Sequence, residues 1–141
     1  SPPPQPDPSS LPPEALELAA RLFDAARAGD APTLSAYLAA GIPPNLTNHA
    51  GDTLLMLAAY HGRVEAVRAL LAAGADADAV NGRGQAPVAG AVFKGHADIV
   101  RCLVEEGRAD VAMGRPSARD AALMFRRVEL FPLLGIEAEG E

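Results

Sequence analysis

Few residues in this chain could do chemistry. Its histidines are His49, His61 and His96, and its single cysteine is Cys102. His49 and His61, with Asp52, form the one group that could approach a metal. The close His/Cys/carboxylate spacing of zinc sites is missing, so no metal is expected. His96 follows a glycine where a helix opens; a lone imidazole there reads as a turn residue. Asp76, Asp78 and Asp110 follow helix ends, where carboxylates accept local backbone N–H groups. Paired acid–base work needs a cleft that successive outer turns do not supply. There is no Gly-x-Ser-x-Gly and no phosphate-cradling loop. No nucleophile–base pair is visible, so neither an enzyme nor a cofactor is expected. Cys102 aligns with Ala69 one period earlier, a small packed position, and reads as an inert buried thiol.

The elements that would position these residues repeat. Gly29, Gly62 and Gly95 are 33 residues apart, and so are Gly41, Gly74 and Gly107. Two marks in register at this period indicate stacked repeats. Within one unit, Leu54–Tyr60 is a short alanine-containing apolar run that ends near Gly62. Val64, Val67, Leu70 and Leu71 then recur at helical spacing. Gly74 closes that second helix where a left-handed residue is wanted. Each unit is thus helix, tight turn, helix, loop. The alanine pairs let neighbouring helices approach closely, and one unit must stack on another to bury its apolar face.

Residues 51–76 resemble the ankyrin repeat. They keep Gly51, Thr53, Leu55, Ala58-Ala59, Gly62, Val67, Leu70-Leu71 and Gly74-Ala75-Asp76. Residues 84–110 keep Gly84, Pro87, Ala91, Gly95-His96, Val100, Leu103, Gly107 and, after the inserted Arg108, Ala109-Asp110. The resemblance implies an all-α solenoid of about four repeats including two caps. Its units run roughly over 14–47, 48–80, 81–113 and 114–135, after a proline-rich lead-in (1–13) and before an acidic tail (136–141). Met56 and Ala89 replace the family's helix histidine, and Ala86 replaces a threonine, which predicts looser hairpins. The last unit steps by 31 and carries Arg126 at the glycine position, with Pro132 interrupting its second helix.

The resemblance also implies a concave wall made of inner helices and hairpin tips. The family's variable residues before the turn glycine face that wall. Here they are Arg27-Ala28, Tyr60-His61, Phe93-Lys94 and, in the last unit, Met124-Phe125. Tyrosine and arginine suit interface anchors. The expected partner-binding set is Arg27, Tyr60, His61, Phe93 and Lys94, with Thr47, His49, Asp52, Val80, Arg83 and Gln85 on the hairpins. Met124 and Phe125 are expected to pack the cap, and Asn48 and Asn81 to serve the turns. The function this implies is non-enzymatic protein–protein recognition through the concave face; the rivals are an accessory or regulatory subunit of a partner enzyme and, behind it, a metal or small-molecule binding module resting on His49, His61 and Asp52.

Composition bounds the rest. The 141 residues make one domain, nearly half apolar and without tryptophan. A net charge of −6 argues against general nucleic-acid binding, which needs a basic stripe. Arginine outnumbers lysine eleven to one, suggesting a GC-rich, bacterial genome. The lead-in holds seven prolines in 13 residues and reads as extended. No stretch would span a membrane. A monomer is expected, cytoplasmic, or periplasmic or secreted if a signal peptide has been removed.

Overall fold

The computed structural model describes residues 13–137. The expected lead-in therefore lies outside the described residues apart from Pro13, which already opens the first helix, and the tail lies outside beyond Glu137. The helices are α1 (Pro13–Ala28), α2 (Ala31–Ala39), α3 (Leu54–Tyr60), α4 (Val64–Ala72), α5 (Pro87–Lys94), α6 (Ala97–Glu105), α7 (Ala118–Met124) and α8 (Phe131–Leu134). A single 3₁₀ turn, Val128–Leu130, leads into α8, with Pro132 in that helix's first turn. The all-α solenoid expected from the repeat is what forms. Helices α1, α3, α5 and α7 lie side by side in one row, and α2, α4, α6 and α8 in a second behind them.

Helix starts follow from local chemistry. Thr53 Oγ1 accepts the Met56 N–H at 3.0 Å and caps α3. Ser117 and Asp120 form a reciprocal capping box on α7. Asp30 caps α2 through the Thr33 amide and hydroxyl, and those bonds lower its carboxyl pKa. Ala86 has no side chain to cap α5, and Pro87, needing no donor partner, takes its first turn.

The core runs between the two rows. Leu22, Leu55, Leu70, Val88, Val92, Ile99 and Leu103 are fully buried. Burial of each Leu or Ile contributes on the order of 1.5–3 kcal/mol. Ala25, Ala58, Ala91 and Ala122 occupy one column of the inner row, all buried, and set the close helix spacing. The next column reads Ala26, Ala59, Val92, Leu123. Its first three members are fully buried, whereas Leu123 is 56% exposed, with no further repeat over it among the described residues.

One glycine departs from its series and one expectation needs correction. Gly107, unlike Gly41 and Gly74, is not left-handed; the inserted Arg108 takes that conformation, at φ 52°. Gly107 is required for a different reason. A Cβ there would lie 2.8 Å from the Leu103 carbonyl oxygen and 3.0 Å from Leu71 Cδ2 of the preceding repeat. The hairpins are also not loose. Asn48 Oδ1 accepts from Ala50 and Asp52 amides, and Asn81 Oδ1 accepts from Arg83 and Gln85 amides. Consecutive hairpins are joined by Gly82 N–H to Ala50 O (3.0 Å) and Arg115 N–H to Gly84 O (2.9 Å). Backbone and asparagine bonds thus replace the missing histidine.

Candidate functional site

The inner helices and hairpins enclose a groove of about 650 Å³. Its floor is small side chains, Ala86, Ala89, Gly90 and Ala121. Its rings are Tyr60 from the end of α3, Phe93 from α5 and Phe125 from just after α7. Tyr60 is 40% exposed and Phe93 44%. The Tyr60 ring lies against the α5 backbone where position 90 lacks a Cβ; one built there would touch Tyr60 Cδ1 at 3.6 Å. Phe93 and Phe125 meet edge-to-face, with centroids 5.0 Å apart, a favourable aromatic geometry. Lys94 Nζ stands 5.1 Å from the centre of the Tyr60 ring, within cation–π range.

Behind the rings a bond recurs with the repeat. From the second unit on, the residue after the turn position reaches back to a backbone carbonyl of the preceding unit. Arg63 Nε donates to Arg27 O at 2.8 Å, and Arg127 Nη2 donates to Phe93 O at 2.7 Å. His96 Nε2 lies 3.2 Å from Tyr60 O, so the tautomer protonated at Nε2 donates there. Arg27, Tyr60 and Phe93 therefore each have their carbonyl held by the next repeat. The side chains that do this lie directly over the turn glycines, which explains the first glycine series. A Cβ on Gly29 would stand 2.8 Å from Arg63 Cδ, and one on Gly62 would stand 2.9 Å from His96 Cε1.

Six of the expected recognition residues line the groove: Asp52, Tyr60, His61, Arg83, Gln85 and Phe93. Two of these also hold the hairpins together. Asn81 Nδ2 donates to Asp52 Oδ1 and to Gln85 Oε1, each at 2.8 Å. Lys94 sits at the rim over Tyr60. Arg27 is exposed outside the lining and bonded to Asp24 at 3.1 Å. Thr47, His49 and Val80 are exposed on the hairpins and loop away from it.

The assignment of Met124 and Phe125 to cap packing is corrected. Met124 is 65% exposed and Phe125 43%, and both line the groove. Among the described residues nothing stacks beyond the last unit, and these side chains extend the aromatic wall instead of filling an interior. Sequence reasoning also missed Met56 and Ala89 as lining residues. Both stood out as departures from the family pattern.

The remaining candidates settle into structural roles. Asp78 Oδ1 accepts the Asp110 N–H at 2.7 Å, and Asn45 Oδ1, one period earlier, accepts the Asp76 N–H at 2.7 Å. Asp76 and Asp110 accept the amides two residues on. Cys102 is buried, and its thiol is pushed up to about 11 by desolvation and the nearby Glu106 charge, which leaves little thiolate at neutral pH. Among the described residues no three His, Cys, Asp or Glu side chains are gathered to hold a metal. Nor is any described helix long and apolar enough to cross a membrane.

A family pattern described as ankyrin repeats, in three copies, matches residues 22–114, about two thirds of the chain. The chain belongs to the ankyrin repeat family. A Pseudomonas aeruginosa protein named as an ankyrin repeat protein is 52% identical over 52 residues. That stretch is 37% of this chain and 30% of the relative's length. Ankyrin repeats are in general protein-interaction modules, and the fold is a non-enzymatic one.

Proposed function

We propose that the groove is a docking site for a segment of a partner protein. The observation that carries this reading is the exposed ring set of Tyr60, Phe93 and Phe125, held over a floor of small side chains. A soluble chain that keeps large apolar rings at the surface in one concavity usually does so for binding. Covering the exposed two-fifths of each ring would remove on the order of 80 Å² from water, about 2 kcal/mol per ring. The carbonyl bonds behind Tyr60 and Phe93 support the same reading, since anchors held in place lose little freedom on binding.

The test is capture of native partners by immobilised chain, with Tyr60→Ala/Phe93→Ala beside it. The double variant should lose the proteins retained by the unaltered chain, while its far-ultraviolet circular dichroism and melting stay close to the original. Retention of the same proteins by a folded double variant would rule out this groove.

A further inference from the structure

The charge of the chain is not evenly spread. There are 18 acidic residues against 12 basic ones. The carboxylates of Glu65, Asp98, Glu105, Glu106 and Glu129 lie in or beside the second helix of each pair, away from the groove. The groove's two edges carry the opposite sign. Arg83 lines the hairpin side of the groove; Lys94 stands over Tyr60, and Arg63 and Arg127 lie at the turns just outside the lining, donating to the carbonyls of Arg27 and Phe93. None of these four makes an ion pair among the described residues. Asp24 is paired with Arg27 and Asp30 caps α2, while Glu65 and Asp98 sit in the first turns of α4 and α6 and Glu129 in the 3₁₀ turn before α8. The one carboxylate lining the groove, Asp52, takes its bond from Asn81. His61, between the edges, feels this field: after desolvation, every charge acting on it is cationic (Arg63, Arg27, Lys94 and His96), and its pKa is lowered.

We propose that the groove's occupant is an acidic peptide segment studded with apolar side chains, its carboxylates meeting Arg83 and the Arg63–Lys94–Arg127 edge while its apolar groups enter between Tyr60 and Phe93. This inference rests on the docking reading above and adds the chemistry of the partner. Charge complementarity of this kind steers encounter and sets specificity. A net negative body turns anionic partners away everywhere except at these edges. A single-stranded nucleic acid also offers negative charge and flat rings. The aliphatic lining of Met56, Leu57, Ala89 and Met124 suits branched side chains better than stacked bases.

The test uses three pools of short fluorescent peptides against the full chain. All share the same leucine, isoleucine and phenylalanine positions; the others are acidic, neutral polar or basic. Anisotropy should show the acidic pool binding tightest and weakening as salt rises. Arg83→Glu with Lys94→Glu should weaken the acidic pool by about tenfold or more and admit the basic pool. Arg83→Glu alone, away from the Tyr60 ring, should shift the preference in the same direction. If the neutral or basic pool binds as well as the acidic one, and Tyr60→Ala/Phe93→Ala still abolishes it, the charge inference falls and the docking reading stands. If no pool binds, or binding ignores the ring substitutions, both fall. A thymidine oligonucleotide that displaces the acidic pool and binds more tightly overturns the peptide assignment.

Discussion

The imidazole of His96 reaches across the stack to the backbone carbonyl of Tyr60, 3.2 Å away, while its ring covers Gly62. A residue that reads in sequence as a turn histidine thus holds the groove's first ring from the following repeat. Local turn chemistry, repeat stacking and the binding surface meet in this one contact.

The first prediction concerns that contact. His96→Ala removes the donor, and Tyr60 O is left to water. The expected cost is about 0.5–1.5 kcal/mol. Gly62→Ala should cost more, because it adds two penalties. The position sits at φ +73°, and the new methyl would meet His96 Cε1 at 2.9 Å. Left-handed backbone alone disfavours a non-glycine residue by roughly 1–2 kcal/mol. Urea unfolding of both variants checks the order, and Gly62→Ala proving the milder change would refute the account of the glycine column.

The last repeat supplies the complementary case. Arg126 occupies the turn position that glycine holds elsewhere, and it is left-handed at φ 53°. Among the described residues no side chain of a further repeat lies over it, and the position needs only the backbone conformation. Arg126→Gly should therefore relieve strain and stabilise the fold by about 0.5–1 kcal/mol, net of the flexibility glycine adds to the unfolded chain. A fall in the urea midpoint would contradict this.

Asn81 joins two hairpins with a buried side chain. It accepts from the amides of Arg83 and Gln85 and donates to Asp52 and Gln85. Asn81→Ala leaves these groups short of partners in a partly buried setting, at an expected cost of about 1–3 kcal/mol. Amide exchange should quicken at Arg83 and Gln85. Exchange unchanged at both would mean the tie is incidental.

Much of the fold was legible because it is periodic. The 33-residue glycine steps and the Val64–Val67–Leu70 spacing specify paired helices that must stack. The ring column of Tyr60 and Phe93 came from the resemblance to the ankyrin repeat, which implies that these positions face the inner wall. What escaped depends on neighbours in space. Arg63 and Arg127 look like ordinary surface arginines until the next repeat lies beside them, and then they donate to backbone carbonyls. Met124 and Phe125 were misplaced because a terminal helix suggests a cap. The exposure of a side chain there depends on what stacks beyond it, which spacing does not encode. Hairpin rigidity was misjudged for a related reason. The bonds that supply it run from backbone to backbone and from asparagine, not from the family's histidine.

The electrostatic reading of the groove makes a prediction that needs no partner. The folded pKa of His61 lies below the ordinary imidazole value of 6.5, first through desolvation and then through Arg63, Arg27, Lys94 and His96. A depressed basic group binds fewer protons folded than unfolded. Its contribution to stability is therefore present above the unfolded pKa and is lost as pH falls through 6.5 toward the folded value. Nuclear magnetic resonance titration should place the His61 midpoint below 6.5. Lys94→Gln removes one of the charges responsible, so the midpoint should move upward. An acidic peptide bound along the edge adds opposite charge, and it should move the midpoint upward again. A His61 midpoint at or above the ordinary value in the free chain, unmoved by Lys94→Gln, would remove the cationic edge on which the partner's chemistry was inferred.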